Sequence, residues 1–162
     1  MQESHVADNT SQETCSMQST LVANQPQQCT TLTWLLVGDI REMLQDHLDE
    51  EAIRWLKPVL DALISAMCEQ SELTSQEGWY DELLGCFPHL ISRVARIEAE
   101  QNDLCRSLRD LRSGIERDIP LDRLARELEA DLNSWVDLMI KHSRREAILL
   151  QDVWYTEIGG EG

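Results

Sequence analysis

Residues 135–153, WVDLMIKHSRREAILLQDV, place side chains on one helical face at alternating steps of four and three residues. That face consists of Trp135, Met139, His142, Glu146, Leu149 and Val153. Side chains three or four positions apart lie on the same side of an α-helix, so the stretch predicts an amphipathic helix. An imidazole and a carboxylate occupy the middle of a face that is apolar at both ends.

The chain from residue 30 onward repeats this helical pattern. We predict helices from about Thr33 to His47, from Asp49 as N-cap, from Pro88, and from Pro120 into the quoted stretch. There is no sustained alternation of period two and no Asn-Gly or Asp-Gly hairpin turn. Residues 30–162 therefore predict an all-α, up-down-up-down four-helix bundle. Its predicted core includes Leu63, Ile97, Leu104, Trp135 and Met139.

Residues 1–29 have a different composition, rich in Gln, Ser, Thr and Asn and poor in large apolar side chains. Such a segment buries too little surface to offset the entropy lost on ordering. We expect a flexible polar tail without secondary structure of its own.

The charge and cysteine content restrict the class of partner. Fourteen basic and 30 acidic residues give a formal net charge of −16, which argues against nucleic-acid and anionic-membrane surfaces. No apolar run is long enough to span a bilayer, and no signal peptide is apparent. Five cysteines without a CxxC pair favour a reduced, cytoplasmic protein, and an unknown protein partner remains open.

Polar residues interrupt the apolar faces of three predicted helices. His142 and Glu146 do so in the last helix, Gln101 in the third, and Gln70, Thr74 and Glu77 in the second. A buried carboxylate is costly unless it is paired or binds a cation. Imidazoles and carboxylates that project inward from different helices are how helical bundles hold metal ions.

Structural alternatives apply to each of these residues. His142 and Glu146 could form an ordinary i,i+4 pair at a partly exposed helix end. Thr74 and Glu77 could form a capping box, TSQE. Gln101 could lie at a hydrated end of the bundle, and His47 could interact with the negative end of the first helix.

The last helix, with His142-SRR-Glu146, resembles that of the hemerythrin-like (HHE cation-binding) proteins. Further similarity lies in WLKPVLDALI at 55–64, ELTSQEGWY at 72–80 and FPHLISRVARIEAEQNDL at 87–104. The resemblance covers about residues 31–160. It implies a four-helix bundle with a non-haem di-iron centre that binds oxygen or takes part in redox chemistry.

Carried over position by position, the resemblance implies metal ligands at His142, Glu146 and Glu77. Leu73 and Gln101 stand where the family has histidines, and the first helix offers only Asp39 near its ligand position. The resemblance therefore predicts a degenerate site that binds iron or another divalent metal weakly, or not at all.

Two functions follow from the sequence. The first is a weak metal-binding or redox- and oxygen-responsive module, and the alternative is a metal-free, acidic interaction or regulatory domain. The sequence contains no phosphate-binding glycine loop and no cofactor fingerprint, so we expect no enzymatic activity.

Overall fold

The computed structural model describes residues 27–76 and 78–159 of the 162-residue chain, with side chains from residue 30 to residue 156. The predicted tail lies outside this part of the chain, apart from its last three residues. No strand occurs in the described ranges, which confirms the all-α prediction. Within the same ranges, no helix is long and apolar enough to cross a membrane.

The described residues form five α-helices and one short 3₁₀ helix, where the sequence predicted four helices. Their bounds are α1 Gln27–Met43, α2 Glu50–Gln76, α3 Trp79–Cys86, 3₁₀ Pro88–Leu90, α4 Ile91–Gly114 and α5 Leu121–Gly159. Helix α3 was not predicted from the sequence. Helix α1 lies earlier in the chain than predicted, since it begins at Gln27 instead of near Thr33 and ends at Met43 instead of His47.

Local signals explain where α2 and α3 begin. The Asp49 carboxylate accepts a hydrogen bond from the Ala52 amide at 2.8 Å, which confirms the predicted N-cap of α2. The helix continues through Pro58 to Gln76. Gly78 precedes α3 with φ 62°, in the left-handed region that side chains other than glycine rarely adopt.

His47 has a different role from the predicted one. Because α1 ends at Met43, His47 lies in the loop to α2, where its Nδ1 is 2.8 Å from Glu129 Oε1. The same carboxylate oxygen accepts a hydrogen bond from the Leu48 amide at 2.8 Å. Glu129 of α5 therefore fixes the α1–α2 loop against the last helix.

The four long helices pack in a closed order. Helix α1 contacts α2, α2 contacts α4, α4 contacts α5, and α5 returns to contact α1. The main core lies between them and contains Leu63, Leu104, Trp135 and Met139. The fifth residue predicted as core, Ile97, is 4% exposed, so all five predicted core residues are buried.

A second, smaller core lies under α3. Trp79 and Leu83 of α3 pack there with Leu90, Val94 and Ile97, and with Leu149 and Val153 of α5. Helix α5 has 39 residues and is about 58 Å long, whereas the 17 residues of α1 span about 25 Å. The short helix α3 therefore covers the part of α4 and α5 beyond the reach of α1.

Candidate functional site

A cavity of about 240 Å³ opens between α2, α3, α4 and α5. The cavity lies between the two cores. On α5, its residues His142 and Glu146 lie between Met139 of the main core and Leu149 of the second core. Its side chains are mostly polar and include Gln70, Thr74, Tyr80, Gln101, His142 and Glu146. A polar layer therefore divides the apolar interior.

His142 is the most buried polar group of this layer. It is 4% exposed, and its Nδ1 lies 3.4 Å from Glu100 Oε2 of the neighbouring helix α4. His142 therefore lies inside the bundle and not at a partly exposed helix end, which contradicts the alternative for this residue. If Nδ1 carries the proton directed at Glu100, a neutral imidazole presents Nε2 as a hydrogen-bond acceptor.

Glu100 is surrounded by donors. Arg96 Nε lies 3.0 Å and Arg145 Nη1 2.9 Å from Glu100 Oε1, in addition to the contact with His142. Burial by itself would raise the pKa of this carboxyl, but the hydrogen bonds from Arg96, Arg145 and His142 outweigh it and hold the pKa below its usual value. Glu100 is therefore an ionised, fully paired group beside the cavity.

Glu146 has the opposite surroundings. Its side chain is partly buried and lines the cavity, and no described residue forms a hydrogen bond or an ion pair with it. Burial raises the pKa of this carboxyl, and the electrostatic effect of His142 opposes the rise only in part. Among the described residues no lysine or arginine pairs with Glu146, and His142 is the group whose charge opposes the rise in its pKa.

Tyr80 brings a phenol to the same cavity from α3. Its ring packs edge-on against Trp79, with 4.9 Å between the ring centroids. Its hydroxyl has no hydrogen-bond partner in the described part of the chain. Burial, followed by the charges of Glu146 and Glu98, raises the pKa of the phenol far above its usual value, so the group remains a neutral hydroxyl.

Only some of the site residues predicted from the sequence lie together in the structure. His142, Glu146 and Gln101 line one cavity, as the interrupted helical faces suggested. Glu77 lies outside the described residues. Asp39 is exposed on α1, which contributes no residue to the cavity, so it is not part of this site.

The capping-box alternative for Thr74 is wrong. Thr74 lies within α2, which continues to Gln76, and its hydroxyl donates to the Gln70 carbonyl at 2.9 Å. The residue before α3 is Gly78, which makes no side-chain capping bond. Thr74 therefore acts as a wall of the cavity and not as the start of a helix.

The described side chains do not fit the di-iron centre that the family resemblance implies. Nowhere in the described ranges do three His, Cys, Asp or Glu side chains group so that they could hold a metal ion. His142 and Glu146 are two potential ligands, whereas tight protein sites for transition metals use three or four.

Comparison of the chain with protein-family models, with curated proteins and with solved structures found no match. The interpretation of the cavity therefore rests on its residues. Sequence reasoning missed Tyr80, which lines the cavity, and Glu100, which lies beside it. Glu100 could have been found, since both it and Gln101 continue the helical spacing from Ile97.

Proposed function

We propose that this protein is a non-catalytic binding or regulatory domain that takes a small polar ligand in the cavity between its helices. One observation carries the proposal: the side chains of Tyr80, Gln101 and Glu146 all face one cavity, and no described residue hydrogen-bonds to any of them. All three side chains are partly buried, and a fully buried polar group without a partner would cost about 1–3 kcal/mol. A ligand with complementary groups would recover that cost.

A binding role fits the cavity better than catalysis does. The hydroxyls that line it belong to Ser71, Thr74, Ser75 and Tyr80, and none of them is hydrogen-bonded to His142. The Nδ1 atom of that histidine faces Glu100 instead. A nucleophile activated by an adjacent base, the usual arrangement for covalent catalysis, is therefore lacking among the described lining residues.

Weak binding of a single divalent metal ion is the second candidate. Its ligands would be those implied by the hemerythrin-like resemblance, His142, Glu146 and Glu77, on an up-down-up-down bundle. The support is that the first two line the same cavity and that the four long helices contact one another in a closed order. We keep a cytoplasmic setting as a prediction, consistent with the free thiols of Cys68, Cys86 and Cys105.

The proposal is tested by screening the full chain for thermal stabilisation with small amines, carboxylates, amides, sugars, Zn²⁺, Mn²⁺ and Fe²⁺. A ligand that binds only the folded state stabilises it by about 2.7 kcal/mol at 100 times its Kd. The variant Gln101→Phe should fill the cavity and abolish the response. Ala99→Phe, which adds the same side chain at an exposed position of α4, is the control and should respond as the unmodified protein does.

A ligand found in this screen must then be placed in the cavity by calorimetry on both variants. Equal binding to Gln101→Phe and Ala99→Phe would show that the cavity is not the site. If Gln101→Phe fails to fold cooperatively, Ser71→Phe on α2 provides a second way to fill the cavity. The absence of any response from the unmodified protein would contradict the proposal.

A further inference from the structure

We propose that the ligand of this cavity is a small organic cation whose ammonium group binds between the Glu146 carboxylate, Nε2 of His142 and the side-chain oxygen of Gln101. The inference rests on the proposed function, since it names the class of ligand for the same cavity. It is carried by the charge and by the hydrogen-bonding character of the side chains that line it.

The carboxylates around the cavity are balanced in part by His142, and by no lysine or arginine of the described lining. Glu98 and Glu146 are among the lining residues, whereas no lysine or arginine of the described chain is. Arg96 and Arg145 lie nearby, but both point their guanidinium groups at Glu100. Glu100 thus has three hydrogen-bond donors, and the Glu146 side chain has none among the described residues. The carboxylates would repel an anionic ligand, whereas a cation could pair with Glu146.

The hydrogen-bonding groups match an ammonium group. A carboxylate only accepts, and Nε2 of His142 accepts in the tautomer whose Nδ1 donates to Glu100. The amide oxygen of Gln101 is a third acceptor on the opposite helix. A primary ammonium group has three N–H donors and no acceptor, so it can donate one hydrogen bond to each of these three acceptors. Ile97 and the ring of Tyr80 offer apolar contact to a short alkyl chain.

The ligand is a cation under ordinary assay conditions. Besides Glu146, the described lining contains the titratable side chains of His142 on α5, Tyr80 on α3 and Glu98 on α4, and α2 contributes only uncharged residues. An alkylammonium group remains protonated well above neutral pH, as lysine does with a pKa of about 10.4. The carboxylates of the lining would therefore meet a positively charged ligand.

The test is calorimetric titration of the full chain with n-butylamine and with 1-butanol, which has the same chain length and a hydroxyl in place of the ammonium. We expect binding of n-butylamine only. Glu146→Gln should weaken it by about tenfold or more, the loss expected for a hydrogen bond to a charged group. Asp131→Asn, which removes one charge from an exposed site on the same helix, should leave the affinity unchanged.

The outcomes separate this inference from the proposed function. If neutral or anionic compounds bind in the cavity and n-butylamine does not, the cationic ligand is wrong and the binding domain stands. Equal affinity of n-butylamine for Glu146→Gln and the unmodified chain would also overturn the inference. No binding by any compound would overturn both. Because n-butylamine and 1-butanol are compared on the unmodified chain, the test survives a failure of Glu146→Gln to fold.

Discussion

Two glutamates near His142 show how neighbouring side chains decide the behaviour of one residue type. Glu100 accepts hydrogen bonds from two arginines and lies beside the imidazole, whereas no described residue forms a hydrogen bond with Glu146. The pKa of Glu100 is consequently lowered, and burial raises that of Glu146. One carboxyl belongs to the framework of the site and the other is available to a ligand.

These surroundings predict opposite effects on stability. A lowered folded-state pKa means that Glu100 contributes stability above its unfolded pKa, and that this contribution is lost as pH falls through the folded value. Glu100→Gln should therefore reduce the free energy of unfolding at pH 7 by about 1–3 kcal/mol, with a smaller difference in acid. Chemical denaturation at a series of pH values measures it.

Glu146→Gln should behave in the opposite way in the absence of ligand. Its folded pKa is raised, so the folded state binds more protons than the unfolded one, and the carboxylate costs stability as pH rises through this interval. We expect the variant to gain stability relative to the unmodified chain as pH increases. A loss of stability at pH 8 equal to that of Glu100→Gln would contradict the unpaired environment of Glu146.

At the scale of the helix, α3 contributes to both the cavity and the second core. It brings Tyr80 to the cavity and covers the second core with Trp79 and Leu83. Its direction is set at Gly78, whose φ of 62° an alanine adopts only with strain. An added Cβ at Gly78 would meet no atom within 4 Å, so the strain comes from the backbone alone.

Gly78→Ala should therefore destabilise the protein by about 1–2 kcal/mol, the cost of the left-handed conformation for an L-residue. Gly38→Ala is a matched control. Gly38 lies inside α1, an added Cβ there also meets nothing within 4 Å, and alanine should stabilise the helix by about 0.5–1 kcal/mol. Thermal unfolding of both variants measures the difference, and effects of the same sign would refute the role of Gly78.

Helix prediction succeeded where a long periodic pattern existed and failed where it did not. The helical spacing across α4 and α5 was sufficient to place Ile97, Leu104, Trp135 and Met139 in the core. Helix α3 has eight residues, too few for a clear period, and it starts after a glycine without a capping side chain. The ends of α1 were missed because nothing in the local sequence marks them strongly.

At the scale of the whole molecule, the interior consists of two apolar cores with a polar layer between them. The sequence predicted that this layer exists, because His142, Glu146 and Gln101 interrupt apolar faces. It did not predict which partners meet. Whether Glu100 or Gln101 faces His142 depends on the rotation of α4 relative to α5, and tertiary packing sets that rotation.

The central claim is that Glu146 is a partly buried carboxyl without a hydrogen-bond partner in this layer, beside a fully paired Glu100. Titration of the side-chain carboxyl carbons by nuclear magnetic resonance, on the full chain labelled at glutamate, tests it most directly, with Glu100→Gln and Glu146→Gln to assign the two signals. We predict that Glu146 titrates above the usual pH range for glutamate and Glu100 below it. Titration of both groups at the ordinary value for an exposed glutamate would contradict the account.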